Sequence, residues 1–485
     1  MKKTVRNIVI MLVLLAVLGG ATFFLLQLPQ SGEQDNVSTA DSSQESTDQE
    51  VLLSRELSTV RSIKVENSSG DFTVVQKSDS DKESPEFTIE GYEEYELNTA
   101  QLTSNVRSAL NLKAIKNLGE RDDLEAFGLG EDAVKLTMNY DSTDSDVVLL
   151  GNDAAESIGK YVLMNKKVYI VPSIPAYFYG SKFAYFYNDI YEINDRTIIT
   201  TDKDGNEQES TGEDIISSIN LSGKKFSEPI SIEYNSKVVS KYLVKEPVVA
   251  ESGTTAFFEM VTSLKSLTAT SVVDAGITDD LLEKYGLKEP DAQIEFKLND
   301  SEHKLSVSAK DDEGNRFLIA DDKDLIYKVD NSLVEKWAEI ELMKLRMSYI
   351  WIPNINDVQN LKVILDGDQV YEYNVSRTVD EEKSTESNTV YILSITDVSG
   401  NDISYDDSYQ PFYMKLLSLA VFSEENAEYS DVPDVKVQYS YFDGGSDTIE
   451  LYKVKDQNRY VAELNGDFNG QIRSTEVNAM LEVLP

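Results

Sequence analysis

A tripeptide of an aromatic residue, glycine and leucine occurs twice in this chain, in the same setting each time. It stands at 127–129 before the alternating stretch 134–140, and again at 285–287 before 292–298. Each copy follows a hairpin pattern and a helical stripe, and each precedes a run of further strands. Recurrence of this kind indicates a duplicated domain. We therefore expect an α+β fold of tandem repeats, each a mainly antiparallel sheet with two helices.

The tripeptide itself is typical of a helix end. Glycine takes positive φ there without strain, while the aromatic residue and the leucine beside it fill the core. A dinucleotide-binding loop is the alternative for Gly128 and Gly130, but these glycines follow a helical segment, whereas that fingerprint follows a strand. The pattern therefore predicts a structural role.

Three repeats account for most of the 485 residues. We place the first repeat at 51–195, the second at 222–350 and a divergent third at 355–485, with a polar interval at 195–221. The third repeat keeps the order of elements but lacks the tripeptide. The role of the tripeptide is therefore not repeated in all three.

The N-terminus has the pattern of a single-pass membrane anchor. Residues 8–28 are uncharged, are long enough to cross the hydrocarbon core as a helix, and follow the short basic segment 1–7. The positive-inside rule puts 1–7 in the cytoplasm and the rest of the chain on the extracytoplasmic side. Residues 29–50 are polar and acidic, which indicates a disordered linker. A cleaved signal peptide remains the alternative, because the small residues at 19–21 suit processing.

Charge and cysteine content exclude several classes of function. The chain has 86 acidic and 45 basic residues, a formal net charge of −41, which repels phosphate backbones and excludes nucleic acid as a partner. It has no cysteine, so disulfides, a lipid-modified cysteine and a thiol nucleophile are all excluded. The cores must then be stable through packing alone.

The sequence contains no recognisable catalytic motif, so we expect no catalytic residues, no cofactor and no metal. The only histidine, His303, lies in an alternating segment and is typical of an ordinary strand residue. Two acid-rich turns, 202–207 and 311–315, space oxygen atoms as the start of a calcium loop does, but solvated turns explain them better. A hydrolase with two paired carboxylates stays open, because the many acidic residues allow many pairs.

An aromatic cluster at 177–191 is the most functional-looking feature of the sequence. We predict a helix over 180–193 with one aromatic stripe in the core. Tyr177, Tyr179 and Tyr185 fall off that stripe and are expected to face outwards, where tyrosines stack on sugars or anchor protein interfaces. These three tyrosines are the candidate interaction residues.

The repeated arrangement resembles the DUF4340 family. The residues that carry the resemblance are Asp123-Leu124, 127–129, Asp280-Leu281, 285–287 and Pro290. Members of that family are similar to envelope proteins that accompany ABC transporters of the gliding-motility type. The resemblance implies an accessory role beside a membrane-anchored partner, and it supplies no catalytic residues.

Together these observations predict a membrane-anchored, extracytoplasmic and non-enzymatic protein that serves as an accessory or binding component of an ABC-type transport or envelope system. The expected partner is the transporter permease or a related membrane protein, with a wall polymer as a further candidate ligand. Two alternatives stay open. One is an envelope hydrolase that processes glycans with paired carboxylates, and the other is a passive wall-binding spacer.

Overall fold

The structure, a computed structural model, describes residues 50–78, 80–81, 83–141, 143–201, 207–236, 238–384 and 389–485. The predicted cytoplasmic segment 1–7, the anchor 8–28 and, apart from Glu50, the linker 29–50 lie outside the described residues. Across the described part of the chain, no helix combines the length and the apolar character needed to cross a membrane.

The first large sheet has eight strands in the order β4-β3-β2-β7-β8-β9-β10-β6. Its region of the chain contains the following elements: β1 (Glu50–Ser54), β2 (Val60–Glu66), β3 (Phe72–Gln76), β4 (Phe87–Ile89), α1 (Thr99–Leu110), β5 (Asn111–Ala114), β6 (Lys116–Gly119), β7 (Val134–Tyr140), β8 (Ser145–Asp153), β9 (Lys160–Met164) and β10 (Lys167–Val171). Three further strands lead to the second sheet: β11 (Asp189–Glu192), β12 (Thr197–Thr201) and β13 (Glu207–Thr211).

The second large sheet has nine strands in the order β17-β16-β15-β14-β20-β21-β22-β23-β19. Its region contains β14 (Ile216–Ser222), β15 (Ile230–Tyr234), β16 (Tyr242–Glu246), β17 (Ala250–Glu251), α2 (Thr255–Ser263), β18 (Ser266–Thr268), β19 (Ser271–Ala275), α3 (Asp279–Lys284), β20 (Ala292–Leu298), β21 (Ser301–Val307), β22 (Asn315–Ala320), β23 (Leu325–Asp330), α4 (Glu335–Ala338) and α5 (Leu342–Leu345).

The third large sheet also has nine strands, in the order β27-β26-β25-β24-β29-β30-β31-β32-β28. Its region contains β24 (Val358–Leu365), β25 (Gln369–Val379), β26 (Tyr391–Asp397), β27 (Asp402–Ile403), α6 (Gln410–Leu417), β28 (Val421–Ser423), β29 (Val435–Tyr441), β30 (Ser446–Lys453), β31 (Arg459–Leu464), β32 (Asp467–Arg473) and α7 (Ser474–Leu481).

The three sheets share one strand order, except that the first meander has three strands in the first sheet and four in the second and third. In each sheet a first meander and a second meander meet at a central antiparallel pair, namely β2–β7, β14–β20 and β24–β29. A short strand that comes soon after the main helix (α1, α2 or α6) closes the far edge of each sheet, namely β6, β19 or β28. One hydrophobic core runs through the first and second sheets, and a second core belongs to the third. The fold is therefore mainly antiparallel β-sheet with few short helices, as expected for its strands.

The predicted helix over 180–193 is wrong. Residues Ala176–Tyr179 and Lys182–Tyr185 form two short 3-10 turns, and Asp189–Glu192 forms β11. The backbone of Gly180 is extended, which ends the first turn. The Ser181 hydroxyl then accepts a hydrogen bond from the Phe183 amide at the start of the second turn. Aromatic side chains also favour strands over helices. The described part of the first region therefore has one α-helix, where two were predicted.

The stretch 195–221, interpreted from the sequence as a polar interval between repeats, contains strands. This stretch holds β12, β13 and all of β14 except its last residue, and β14 forms the central pair of the second sheet with β20. The buried residues Ile216, Ile219 and Leu221 do not alternate regularly, because the register shifts between Ile216 and Ser218. A bulge of this kind hides the period of two that identifies a strand.

The aromatic-glycine-leucine tripeptide ends a helical turn in both copies. Gly128 has φ +67° and Gly286 has φ +69°. The amides of Leu129 and Leu287 donate back to the carbonyls five residues earlier, at 3.0 and 2.7 Å. Both leucines are buried. This geometry is a Schellman-type helix end, so the predicted structural role is confirmed.

Each sheet region is joined to the segment that precedes it by a short antiparallel pairing. In the first region β1 pairs with β5, the strand directly after α1. In the second region β11 pairs with β18, the strand directly after α2. In the third region, Ala420 forms a single bridge to Tyr349 at the same place. The end of one region is therefore hydrogen-bonded to the middle of the next.

Candidate functional site

A groove of about 850 Å³ lies where the second and third sheets meet. Its walls come from the β15–β16 turn, from the segment 351–357 that enters the third sheet, and from the β29–β30 turn. Cavities of roughly 300–1,000 Å³ are the usual size for ligand sites. The groove is therefore the leading candidate site.

A hydrogen-bonded relay forms one wall of the groove. The indole Nε1–H of Trp351 donates to the Tyr441 hydroxyl at 3.2 Å, and that hydroxyl donates to Asp447 Oδ2 at 2.6 Å. Asn465 holds the other oxygen of Asp447 at 2.9 Å. Burial, and then the bond to Asp447, raises the pKa of Tyr441, so its hydroxyl stays protonated and donates. Both rings are held in a fixed orientation while remaining partly exposed.

Arg377 forms a second fixed element of the groove. Its guanidinium lies over the Phe442 ring, 4.2 Å from the centroid, and over the Tyr391 ring at 4.8 Å. It also donates to the Asn356 carbonyl and approaches Asp357 at 3.4 Å. Arginine stacked on rings and bonded to a carbonyl loses little further entropy when it binds a ligand.

The rim of the groove carries charges of both signs. Lys241 stands exposed at the β15–β16 turn with a left-handed backbone, φ +65°. Asp357, Asp443 and Asp447 line the groove from the side of the third sheet. The groove thus combines aromatic rings at its base with a polar rim.

The groove rests on a buried cluster of tyrosines. The Tyr413 hydroxyl donates to the Pro353 carbonyl at 3.0 Å, directly behind the groove wall. Tyr439 stacks on Tyr441, with ring centroids 6.4 Å apart, and is fully buried. This backing fixes Tyr441 from the interior, so the groove is preformed.

The three candidate tyrosines of the sequence lie elsewhere, in the first region. Tyr185 is 0% exposed and bonds through its hydroxyl to Asn105 at 2.9 Å, so the prediction that it faces outwards is wrong. Tyr177 and Tyr179 are half-buried; the Tyr177 ring packs 4.9 Å from Tyr185. Tyr179 donates to the Gly151 carbonyl at 3.0 Å, and burial raises its pKa to about 12. The helical stripe on which the prediction depended does not form.

His303 is confirmed as a strand residue of β21. Its ring stacks on Tyr191 of β11 at 4.2 Å. Burial lowers the pKa of His303, with Asp322 and Asp321 acting weakly in the opposite direction. The histidine therefore joins the first and second regions as a neutral aromatic ring.

The two acid-rich turns differ in what can be said of them. Residues 202–206 lie outside the described residues. Asp311 of the second turn accepts hydrogen bonds from the amides of Glu313 and Asn315, at 2.9 and 2.7 Å, as a solvated turn does. The described ranges contain no group of three or more acidic or histidine side chains placed to hold a metal ion.

Sequence reasoning missed the groove because its walls are distant in the chain. Trp351 and Tyr441 are 90 positions apart, and Trp351 falls at a predicted boundary between repeats. One signal was present. The stretch Tyr349–Pro353 is aromatic and apolar, unlike a solvated linker.

Comparison with known protein families gives a match in the middle of the chain. Residues 255–407 match DUF4340, a domain of unknown function. The match starts with the first residue of α2, continues through Trp351 and Arg377, and ends before the β29–β30 turn. No curated protein and no solved structure matches the chain.

Proposed function

We propose that this chain, which carries a DUF4340 domain at residues 255–407, is a non-enzymatic docking protein of the cell envelope. Residues 8–28 hold it in the membrane, and the groove at the junction of the second and third sheets binds a membrane partner. The partner is an integral component of an ABC-type transport or envelope system. ATP is used by a separate subunit, and this chain contributes binding.

The composition of the groove supports this proposal. Trp, Tyr and Arg are the residues most enriched among those that dominate protein interfaces. The side chains of Trp351, Tyr441 and Arg377 line one cavity. Each is already held by a hydrogen bond or a ring contact within this chain. Side chains that are already ordered bind with less loss of conformational entropy. This preorganised trio is the observation that carries the proposal.

The charges of the groove indicate the chemistry of the occupant. Lys241 and Arg377 offer positive charge, while Asp357 and Asp447 offer negative charge across the same cavity. Charges of both signs on one rim fit a peptide segment with both signs better than a uniformly charged polymer. The overall charge of −41 further disfavours an anionic wall polymer. The occupant is therefore an extended loop of the partner, with an apolar side chain against Trp351.

Site-specific photocrosslinking in intact membranes tests the proposal. The full-length protein carries a benzoylphenylalanine at Lys241 on the groove rim, and crosslinked partners are identified by mass spectrometry. The matched control places the same group at Lys166, an exposed turn residue between β9 and β10. We expect a crosslink to a polytopic membrane protein from position 241 and none from position 166.

Variants of the groove distinguish a crosslink that requires binding in the groove from one that arises because another protein is merely nearby. Trp351→Ala is expected to remove the crosslink from position 241, whereas Phe422→Ala, which removes an exposed ring of β28, leaves it intact. Thermal unfolding of both variants checks that the fold persists. A crosslink that survives Trp351→Ala, or equal labelling from positions 241 and 166, refutes docking through the groove.

A further inference from the structure

The connection that carries the tripeptide in the first two sheets is built differently in the third. The strand registers define equivalent positions, since Val134 pairs with Leu150, Ala292 with Val307 and Val435 with Leu451. The next residues along these second strands are Gly151, Ser308 and Tyr452. Glycine and serine are thus replaced by a large aromatic residue in the third sheet.

This exchange accounts for the loss of the tripeptide. A Cβ atom on Gly151 would collide with the Phe127 carbonyl oxygen and press on Leu129, so the helix end of the first sheet needs a small residue there. The aromatic residue of the tripeptide packs on the neighbouring strand, Phe127 on Tyr161 at 4.9 Å and Tyr285 on Phe317 at 4.6 Å. The position equivalent to Tyr161 and Phe317 is Val461 in the third sheet. The third sheet has lost both halves of this contact.

A pocket of about 560 Å³ stands at this place in the third sheet. Tyr429, from the β28–β29 connection, and Tyr452 both line the pocket, and their rings pack against each other with centroids 5.1 Å apart. Both hydroxyls donate to Glu463, to Oε1 at 2.9 Å and to Oε2 at 3.2 Å. Two rings and a fixed carboxylate therefore line a cavity at the place where Leu129 lies next to Gly151 in the first sheet.

The charge of the pocket selects its ligand. Glu428 and Asp431 join Glu463 in the lining, which contains neither lysine nor arginine. Aromatic faces beside carboxylates attract organic cations through both ring quadrupole and charge. We propose that this pocket binds an organic cation of the ammonium or guanidinium class. The site is separate from the groove, and it does not depend on the function proposed for the groove.

Calorimetric titration of the full-length protein in a non-ionic detergent tests the assignment. The probes are choline, acetyl-lysine methylamide and acetyl-arginine methylamide, with acetyl-glutamine methylamide as the neutral control. We expect saturable binding of at least one cation and none of the neutral probe. Preference for choline indicates a headgroup source, and preference for the lysine or arginine probe indicates a protein source.

Two variants tie the binding to this pocket. Glu463→Gln is expected to weaken the preferred cation by about tenfold. Glu295→Gln removes the same charge from β20 of the second sheet and leaves the affinity unchanged. Tyr429→Ala, at a residue 38% exposed, abolishes binding without loss of thermal stability. Absence of saturable binding by all three cations, or equal weakening by Glu463→Gln and Glu295→Gln, overturns the proposal.

Discussion

The guanidinium of Arg346 donates to both oxygens of Asn469, to the side-chain oxygen at 2.8 Å and to the backbone carbonyl. Asn469 in turn donates from Nδ2 to the Val249 carbonyl at 2.6 Å. Arg346 and Val249 belong to the second region, and Asn469 belongs to β32 of the third sheet. This reciprocal bonding, with Glu424 3.9 Å from the guanidinium, fastens the two regions together in a buried position.

Replacing Arg346 tests how much this contact stabilises the fold. Arg346→Met fills most of the space but leaves both oxygens of Asn469 without their donor and the half-buried Glu424 without the positive charge 3.9 Å away. We expect a loss of about 3 kcal/mol in the free energy of unfolding, measured by urea denaturation. Arg473→Met removes an exposed arginine that pairs with Glu476 at 3.4 Å, and it should change stability by less than about 1 kcal/mol. Equal effects of the two variants would contradict the role assigned to Arg346.

The tight approach of the tripeptide to β8 predicts an intolerant glycine. Gly151→Ala places a methyl group against the Phe127 carbonyl and 3.1 Å from Leu129 Cδ2, so the helix end must move. We expect a destabilisation of about 2 kcal/mol in thermal or urea unfolding. Gly180→Ala is the matched control, because its nearest neighbour would lie 3.8 Å away. A Gly151→Ala variant as stable as Gly180→Ala would show that the connection is loosely packed.

We expect His303 to cause the decrease in folding stability when the pH falls just below neutral. Burial lowers the folded-state pKa below the unfolded value of 6.5, so the unfolded state binds the proton more readily. The contribution of His303 is therefore complete above about pH 6.5 and declines as the pH falls below that value. His303→Phe keeps an aromatic ring against Tyr191 and should reduce the drop in urea midpoint between pH 7.5 and 5.5. An unchanged drop would assign the sensitivity to carboxylates.

A second acid transition is expected from Glu339. Its hydrogen bond from Lys310 at 2.8 Å and, after that, its bond from Arg316 at 2.9 Å lower its pKa from 4.5 to about 2. This contribution is present above pH 4.5 and is lost as the pH falls towards 2. Glu339→Gln should reduce the loss in the free energy of unfolding between pH 4.5 and 2 by about 1–2 kcal/mol, measured by urea denaturation at each pH. Glu341→Gln, which removes the same charge, is the control and should leave this loss unchanged. Equal profiles for both variants would refute the assignment.

Local features were predictable from the sequence. Gly128 and Gly286 need only their own backbone conformation and the adjacent leucine, so the tripeptide identified the helix end correctly. Pro411, in the first turn of α6, also obeys a local rule, because proline is tolerated at the start of a helix. The antiparallel strands around them followed from alternation over a few residues.

Features set by distant contacts were not predictable. The strand β14 was hidden by a bulge, and the aromatic segment 180–193 was given a helical period that its tertiary contacts override. Tyr185 is buried because α1 supplies Asn105, 80 positions earlier in the chain. The groove depends on a turn and a linker from different sheets, and no local pattern brings these two together.

The pairings of β1 with β5, of β11 with β18, and of Tyr349 with Ala420 also make each region depend on a segment that precedes it in the chain. The three regions are therefore structurally coupled and are not interchangeable modules. If the middle region were removed, Phe186–Glu192 would lie against the surface of the third region that contacts Arg346–Tyr349 in the intact chain. The two surfaces would not be complementary.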